Sequence, residues 1–270
     1  MNDFNKIDQL KELSKTYRQK LLFLANKHTF GLHLGGSLSL SEILTVLYFS
    51  KLNIKPDDPK WPARDRVILS KGHANIGLMT ILSMRGFFPF EDLENFNQFG
   101  SIYTMHADAR VPGVEHSSGS LGHGVTVAVG MALAAKYLHE KWKVYCIVGD
   151  GEMMEGSVWE SFMSAANFHL DNLTYIIDRN RLSQESLTEE EMALEPLEKK
   201  LTSFGLSVCN IDGHDIAVIM DAMDHKTGEA PKAIIANTKK GYGVPGYEGQ
   251  TKSHFAHLKD EEYQNSLNML

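Results

Sequence analysis

The sequence predicts an α/β fold with an open, mostly parallel sheet and helices on both faces. The first observation is the apolar run Val144–Val148, which has the length and composition of a strand buried on both faces. A helical pattern follows, and a second apolar run occupies Leu173–Ile177. Strand, helix and strand within roughly 35 residues form a βαβ unit, whose right-handed crossover leaves the two strands parallel.

The other elements follow from similar patterns along the chain. Ser39–Glu42 and Ser157–Glu160 have the form of capping boxes, which would begin two of the helices. Further strands are expected at 65–70, 206–211 and 232–238, and further helices at 7–28, 39–52, 75–84, 125–139, 183–195 and 216–223 and in the last dozen residues. No repeat, low-complexity run or composition break marks a linker, so residues 1–270 are predicted to form one domain.

Composition excludes several classes of function. The formal net charge of −7 argues against a general nucleic-acid or anionic-membrane binder. No apolar run reaches the length of a membrane helix, and the N-terminal residues lack the apolar core of a signal peptide. Cys146 and Cys209 lie in predicted buried strands without the spacing of a metal site, which suggests reduced core thiols. These features predict a cytoplasmic protein.

Two polar side chains follow the strands of the βαβ unit. Asp150 lies within Gly149-Asp150-Gly151 after the first strand, and Asn180 follows the second. Ligands of parallel sheets bind beyond the carboxyl ends of the strands, where these side chains would meet if the strands are neighbours. One carboxylate and one amide suit a hard cation such as Mg²⁺ or Ca²⁺, and Mg²⁺ usually completes its shell with water and substrate phosphates. The pattern therefore predicts a diphosphate here.

Histidines lie at further candidate positions. His73 stands at the end of the predicted strand 65–70, although a lone histidine more often has a structural role. The long loop at 100–124 is rich in glycine and contains His106, and a loop of this length in a compact domain is usually functional or disordered. The helix after it consists largely of small residues that favour close packing, so we expect the loop to be ordered around a ligand. A segment beginning at Lys239 resembles a mobile loop and carries His254.

The motifs of the central unit resemble those of a known cofactor family. Gly149-Asp150-Gly151 followed by Asn180 is similar to the thiamine-diphosphate motif, which begins with GDG and ends in Asn about thirty residues later. The resemblance implies that Asp150, Asn180 and the backbone carbonyl of Leu182 hold Mg²⁺, for which Ca²⁺ or Mn²⁺ could substitute.

A resemblance to transketolase extends over essentially the whole chain. Its blocks are HLGGSLSLSEIL (33–44), DRVILSKGHA (65–74), His106, PGVEHSSGSLGHG (112–124), VGDGEMMEGSVWE (148–160), DRNRLS (178–183), DGHD (212–215) and KGYGVPG (240–246). A transketolase chain is normally more than twice as long. The sequence therefore resembles the N-terminal, diphosphate-binding subunit of a split transketolase.

The resemblance assigns roles to individual residues. Those implied to contact the cofactor are His73, Gly119, Ser120, Leu121, Gly149, Asp150, Gly151, Glu155, Asn180 and His254. The implied catalytic residues are His33, His106 and His254, which would hydrogen-bond the hydroxyls of the ketose donor and relay protons, together with Glu155. Glu155 would meet the cofactor-activating Glu of the neighbouring domain, whereas Glu160 could serve either the interface or the helix cap.

The implied reaction transfers a two-carbon glycolaldehyde unit from a ketose phosphate to an aldose through a thiamine-diphosphate carbanion. The activating Glu and the sugar-phosphate site would belong to a separate C-terminal subunit, which implies an α2β2 heterotetramer. The chain alone is accordingly predicted to be inactive and to bind the cofactor weakly.

Three alternatives remain open at this point. Phe255, His116 and His123 depart from the usual pattern, and they could retune the donor to a branched or deoxy sugar phosphate. The related 1-deoxyxylulose-5-phosphate synthase shares the GDG and Asn motif, but the set of transketolase-like histidines argues against it. A non-catalytic remnant is disfavoured because the Asp150 and Asn180 pair is intact.

Overall fold

The computed structural model describes residues 3–270, and its centre is a parallel β-sheet. Within these residues the sheet has five strands, in the order β1-β2-β3-β5-β4, and every pair is parallel. The strands are β1 (Arg66–Leu69), β2 (Val144–Gly149), β3 (Leu173–Arg179), β4 (Ser207–Asp212) and β5 (Lys232–Asn237). The predicted βαβ unit is confirmed, since β2 and β3 are neighbours with Gly149 opposite Asp178.

Helices cover both faces of this sheet. They are α1 (Asp3–Lys27), α2 (Gly35–Leu38), α3 (Ser41–Val46), α4 (Asn75–Met84), α5 (His123–Tyr137), α6 (Gly156–Asn167), α7 (Thr188–Glu191), α8 (Leu197–Ser203), α9 (Ile216–Asp224) and α10 (Asp260–Met269). Leu47–Lys51 extends α3 as a π-helical turn. In the described part of the chain no helix is both long enough and apolar enough to cross a membrane.

The alternation of side chains along each strand divides the core into two layers. Tyr145 and Ile147 of β2 pack on the layer that includes α1, α3 and α4. Cys146 and Val148, the alternate residues of the same strand, pack on the layer that includes α5 and α6. Burial on both faces explains why β2 is a continuous apolar run, and it confirms the predicted α/β class.

Both predicted capping boxes are wrong, because the serine side chains bind elsewhere. Ser39 donates to Asp178 Oδ2 at 2.6 Å, and α3 begins only at Ser41. Ser157 lies inside α6 and donates to the carbonyl of Gly122. Glu160 does not cap this helix either, because the residue before its first turn is Glu155 and no side-chain cap hydrogen bond is present there.

Several smaller expectations also differ from the structure. The segment 183–195 is helical only at α7, while α8 was not predicted at all. Cys146 is buried as expected, but Cys209 is only half-buried because β4 is an edge strand of the sheet. The prediction that residues 1–270 form a single domain stays a prediction.

Candidate active site

A cavity of about 460 Å³ lies beyond the carboxyl ends of β1, β2, β3 and β5. Most of the candidate residues line it: His33, His73, His106, Gly119, Leu121, Gly149, Asp150, Gly151, Asn180, Leu182 and His254. The topology brings these residues together, since the loops that follow neighbouring parallel strands leave the sheet at the same edge. The cavity also contains residues that the sequence patterns did not single out, namely Gly36, Lys71, Glu152, Ser183, Gln184, Glu185, Glu191 and Lys240.

Asp150 is bonded directly to the loop that carries Asn180. Its Oδ2 accepts the backbone N–H of Arg181 at 2.5 Å, and its Oδ1 accepts that of Gly151 at 2.9 Å. Asn180 Oδ1 in turn accepts the backbone N–H of Leu182 at 3.1 Å. These bonds fix the side-chain oxygens at adjacent strand ends. Asp150 Oδ1 and Asn180 Oδ1 each accept one of them and keep lone-pair capacity for a further partner.

The Asp150 carboxyl group is almost completely buried, at 2% exposure. Burial raises its pKa, and the neighbouring Asp178 carboxylate adds to the effect. Arg179 Nη1 lies 3.2 Å from Asp150 Oδ2 and partly compensates the negative charge. The two nearby carboxylates make this edge of the cavity favourable for a cation.

Lys71 and Asp178 form an ion pair at the side of the cavity. Lys71 Nζ lies 2.5 Å from Asp178 Oδ2, and the two side chains are 2% and 0% exposed. Asp178 also accepts hydrogen bonds from Ser39 and Thr238. Burial acts to raise the pKa of Asp178, but the attraction to Lys71 and the hydrogen bonds from Lys71, Ser39 and Thr238 together bring it below its usual value, so the carboxyl group is ionised.

Lys240 brings a second ammonium group into the cavity. Its Nζ lies 3.2 Å from the carbonyl oxygen of Leu182 and 2.5 Å from that of Ser183. It also lies 3.0 Å from His254 Nδ1. Burial and the nearby Lys71 lower the pKa of Lys240 to about 8. The Lys240 ammonium group is therefore hydrogen-bonded to the Leu182 carbonyl, which the family resemblance assigns to a metal ion.

The candidate histidines form one cluster around His33. Its ring centroid lies 5.6 Å from that of His73, 5.8 Å from that of His106 and 5.3 Å from that of His254. Burial, with a contribution from nearby cationic groups, lowers the pKa of His33 to about 4 and that of His254 to about 3. Burial also holds the pKa of His73 well below its usual value. Near neutral pH these three rings are unprotonated and can accept protons.

The glycine-rich loop is ordered along the cavity, as the sequence predicted. Ser118 Oγ donates to the carbonyl of Leu69 at 2.8 Å, and the backbone N–H of Gly122 donates to Glu152 Oε1 at 2.8 Å. The same Glu152 carboxylate accepts the N–H of Gly149 and the hydroxyl of Ser70. Glu152 thus connects three loops at the cavity.

Ser120 and Glu155 are the two candidate residues that do not line the cavity. Both are exposed. Glu155 occupies the position immediately before α6, where its side chain caps nothing. Its exposure leaves the carboxylate free to meet a group from outside the described residues.

The side chains present fit both a divalent cation and a phosphorylated ligand. A carboxylate, an amide oxygen and a backbone carbonyl are oxygen donors of the kind that Mg²⁺ prefers. Lys71, His73 and Lys240 face the same space and offer nitrogen donors to phosphate oxygens. At Gly36, an added Cβ would come within 3.2 Å of Lys71 Nζ, so this glycine keeps the backbone close to the ammonium group.

The fold and the cavity are typical of proteins that bind a phosphorylated ligand at the edge of a parallel sheet. Comparisons with known proteins identify the family. A family model described as transketolase, thiamine diphosphate binding domain, matches residues 14–270. The chain belongs to the transketolase family.

Curated relatives of similar length are named as transketolase subunits. The chain is 39% identical over 264 residues to an apulose-4-phosphate transketolase subunit of Phocaeicola vulgatus, covering 97% of this chain and 93% of that protein. It is 41% identical over 238 residues to a 6-deoxy-6-sulfo-D-fructose transketolase subunit of a Clostridium species, covering 87% of this chain and 86% of that protein.

Solved transketolases share the fold and are longer. The transketolase of Campylobacter jejuni superposes with a TM-score of 0.87 at 32% identity, covering 96% of this chain and 43% of that one. This chain therefore spans less than half of that transketolase. The predicted thiamine-diphosphate fold, the cofactor and the transketolase assignment are confirmed, whereas the metal, the assembly and the roles of individual residues stay predictions.

Proposed function

We propose that this chain is the cofactor- and metal-binding N-terminal subunit of a transketolase that works with a separate C-terminal subunit. Together they would transfer a glycolaldehyde unit from a ketose phosphate to an aldose. The observation that carries the proposal is one cavity that combines Asp150, Asn180 and the Leu182 carbonyl with four histidines. The names of two relatives support a divided enzyme, since each is called a subunit.

In this proposal, Asp150, Asn180 and the Leu182 carbonyl hold Mg²⁺, and Ca²⁺ or Mn²⁺ can substitute. Lys240 would have to release the Leu182 carbonyl and turn towards the diphosphate as the metal binds. Its ammonium group is suited to this exchange, because it would leave a neutral carbonyl for anionic phosphate oxygens.

Other residues would orient the bound cofactor. Gly149 and Gly151 allow the backbone to approach the diphosphate, and Lys71 and His73 line the same cavity. Gly119, Ser120 and Leu121 would flank the aminopyrimidine ring. Once bound, thiamine diphosphate supplies the carbanion chemistry for breaking and forming the carbon–carbon bond.

The histidines would bind the sugar hydroxyls and move protons. His33, His106 and His254 are close enough together to contact neighbouring hydroxyls of one sugar. His33 Nδ1 is buried and has no hydrogen-bond partner among the described residues, so the protein leaves this ring nitrogen unsatisfied. Its lowered pKa keeps the ring neutral near neutral pH, so a ring nitrogen can accept a hydrogen bond from a sugar hydroxyl.

The missing parts of the site would come from the partner subunit. Glu155 is exposed beside the loop of Gly122 and would meet the partner's activating Glu in an α2β2 heterotetramer. The expected cytoplasmic location is part of this proposal.

The proposal is tested by reconstitution. The gene for a transketolase C-terminal half should adjoin that of this chain, and the two purified proteins should together turn over a ketose phosphate with thiamine diphosphate and Mg²⁺. Xylulose 5-phosphate and a branched ketose phosphate serve as parallel donors, and pyruvate serves as the control donor. Turnover by this chain alone, or no turnover of any ketose phosphate by the pair, would contradict the proposal.

A further inference from the structure

His214, from the Asp212–Asp215 motif, joins two parts of the chain that are far apart in sequence. Its Nδ1 lies 2.8 Å from Glu42 Oε2, and its Nε2 lies 2.9 Å from the backbone nitrogen of Lys239. A backbone N–H can only donate, so Nε2 is the acceptor and the ring proton is on Nδ1. These contacts select one neutral tautomer, in which Nδ1 donates to Glu42.

Glu42 is a firmly held acceptor for this ring. It is 4% exposed, and it accepts hydrogen bonds from Ser14 at 2.8 Å and Ser41 at 2.7 Å as well as from Arg18. Burial acts to raise the pKa of Glu42, but the hydrogen bond from His214 and the charge of Arg18 bring it below its usual value. The carboxylate is therefore ionised and fully hydrogen-bonded, which fixes the His214 ring from one side.

Tyr242 holds the face of the same ring. The centroids of the two rings lie 3.5 Å apart, and their planes are inclined by only 14°. The backbone N–H of Gly241, between Tyr242 and Lys240, donates to the carbonyl of Gly35 at 3.0 Å. The segment 239–242 is thus held at three points: the N–H of Lys239, the N–H of Gly241 and the ring of Tyr242.

Lys240 lies between these attachment points and sends its side chain into the cavity. An added Cβ at Gly35 would come within 3.0 Å of Lys240 Cγ, so the lysine stem passes directly over this glycine. A shift in the backbone of Lys239 would displace the Lys240 ammonium group.

We propose that His214 is a positioning residue, which, held by Glu42, fixes the backbone of Lys239 and thereby sets the Lys240 ammonium group where it meets the diphosphate of the cofactor. The inference rests on the proposed function, since it takes Lys240 as a ligand of the diphosphate. His214 itself does not line the cavity.

The first experiment is a double-mutant cycle in the full chain, reconstituted with its C-terminal subunit. His214→Phe keeps an aromatic ring against Tyr242 but removes both hydrogen bonds, and Lys240→Met removes the ammonium group. Calorimetric titration with thiamine diphosphate and Mg²⁺ should show about tenfold weaker binding for His214→Phe, as for the loss of roughly one charge-assisted contact. In the Lys240→Met background, His214→Phe should not weaken binding further, because His214 acts on the cofactor through the Lys240 ammonium group, which is already absent.

The second experiment follows the Lys239 backbone itself. Amide hydrogen exchange at Lys239 should accelerate at least about tenfold in His214→Phe, and His225→Phe, at an exposed histidine after α9, should leave it unchanged. Additive losses in the double variant, or unchanged exchange at Lys239, would overturn the inference. If the wild-type pair of subunits bound no thiamine diphosphate, the proposed function would fail while the exchange measurement still decided the role of His214.

Discussion

Lys71 Nζ and Asp178 Oδ2 form an ion pair that is closed to solvent, at 2.5 Å. Lys71 follows β1 and Asp178 lies near the end of β3, so the pair spans β2 at the edge of the sheet that faces the cavity. An isolated charge in this position would be costly, because both side chains are almost completely buried.

Removing one partner should therefore destabilise the fold strongly. Lys71→Met leaves the Asp178 carboxylate without its counter-charge, and we expect a loss of about 3–5 kcal/mol in the free energy of unfolding, measured in urea. The double variant Lys71→Met/Asp178→Asn removes both charges and should be more stable than Lys71→Met alone. A loss below about 1 kcal/mol for Lys71→Met would show that the carboxylate is hydrated after all.

The second prediction concerns metal-dependent binding. Asp150→Ala removes one of the two proposed side-chain ligands, so thiamine diphosphate should bind no more tightly with Mg²⁺ than with a chelator. Calorimetry measures both conditions. Asp221→Ala, at an exposed position on α9, should retain the full effect of Mg²⁺. Unchanged Mg²⁺ dependence in Asp150→Ala would place the metal elsewhere.

The third prediction concerns the carboxylate that joins three loops. Glu152→Gln would turn an amide NH2 group towards a backbone N–H of Gly149 or Gly122, leaving a buried donor unsatisfied. The expected cost is about 1–3 kcal/mol in the free energy of unfolding. Glu155→Gln makes the same chemical change at an exposed position of the motif and should cost less than about 0.5 kcal/mol. Equal stability of the two variants would argue against the role of Glu152.

A fourth prediction follows from the contact of Gly31 with Phe255. Gly31 has φ +85°, and an added Cβ would lie 2.6 Å from Phe255 Cε1. Gly86 has nearly the same φ, +87°, with open space around it. Gly86→Ala should cost about 1–2 kcal/mol from backbone strain alone, and Gly31→Ala should cost more. Adding Phe255→Ala to Gly31→Ala should remove the steric share, which thermal or urea unfolding of the three variants would reveal.

The fifth prediction is a dependence of stability on pH. The fold lowers the pKa of His33 from 6.5 to about 4, so at a pH of about 5 this ring is neutral in the folded protein and protonated in the unfolded chain. The unfolded state binds more protons, and the free energy of unfolding therefore falls as the pH decreases from 6.5 towards 4. His33→Gln should reduce this slope by at most about 1.4 kcal/mol per pH unit. Urea unfolding between about pH 7 and about pH 4.5 measures it, with His225→Gln as the variant that should change nothing.

Much of the sheet was predictable because a strand buried on both faces leaves a continuous apolar run. Val144–Val148 and Leu173–Ile177 indicated the parallel pair, and with it the meeting of Asp150 and Asn180. The two lysines of the cavity were missed for a physical reason: lysine is normally exposed, and only the arrival of Asp178 from another strand explains how Lys71 can be buried. Both lysines follow strand ends, and that position was the signal available in the sequence.

The local capping patterns failed for a related reason. Ser39 is close enough in sequence to cap a helix, but its hydroxyl donates to the Asp178 carboxylate instead. Glu42 is likewise engaged by His214 and Arg18, which lie in distant parts of the chain. Patterns of residues that are close in sequence cannot reveal such distant partners before the tertiary structure is known.

Phe255 follows His254 on a segment that a short β-bridge attaches to Leu32, beside the histidine cluster. Leu32 and Ala256 exchange backbone hydrogen bonds, and the ring of Phe255 stands edge-on to His33 at 5.1 Å between centroids. The side chain is about half exposed and is separate from the two hydrophobic layers beside the sheet. Substitutions at position 255 are consequently expected to alter which sugar the enzyme accepts. The fold itself should tolerate nearly every side chain at this position.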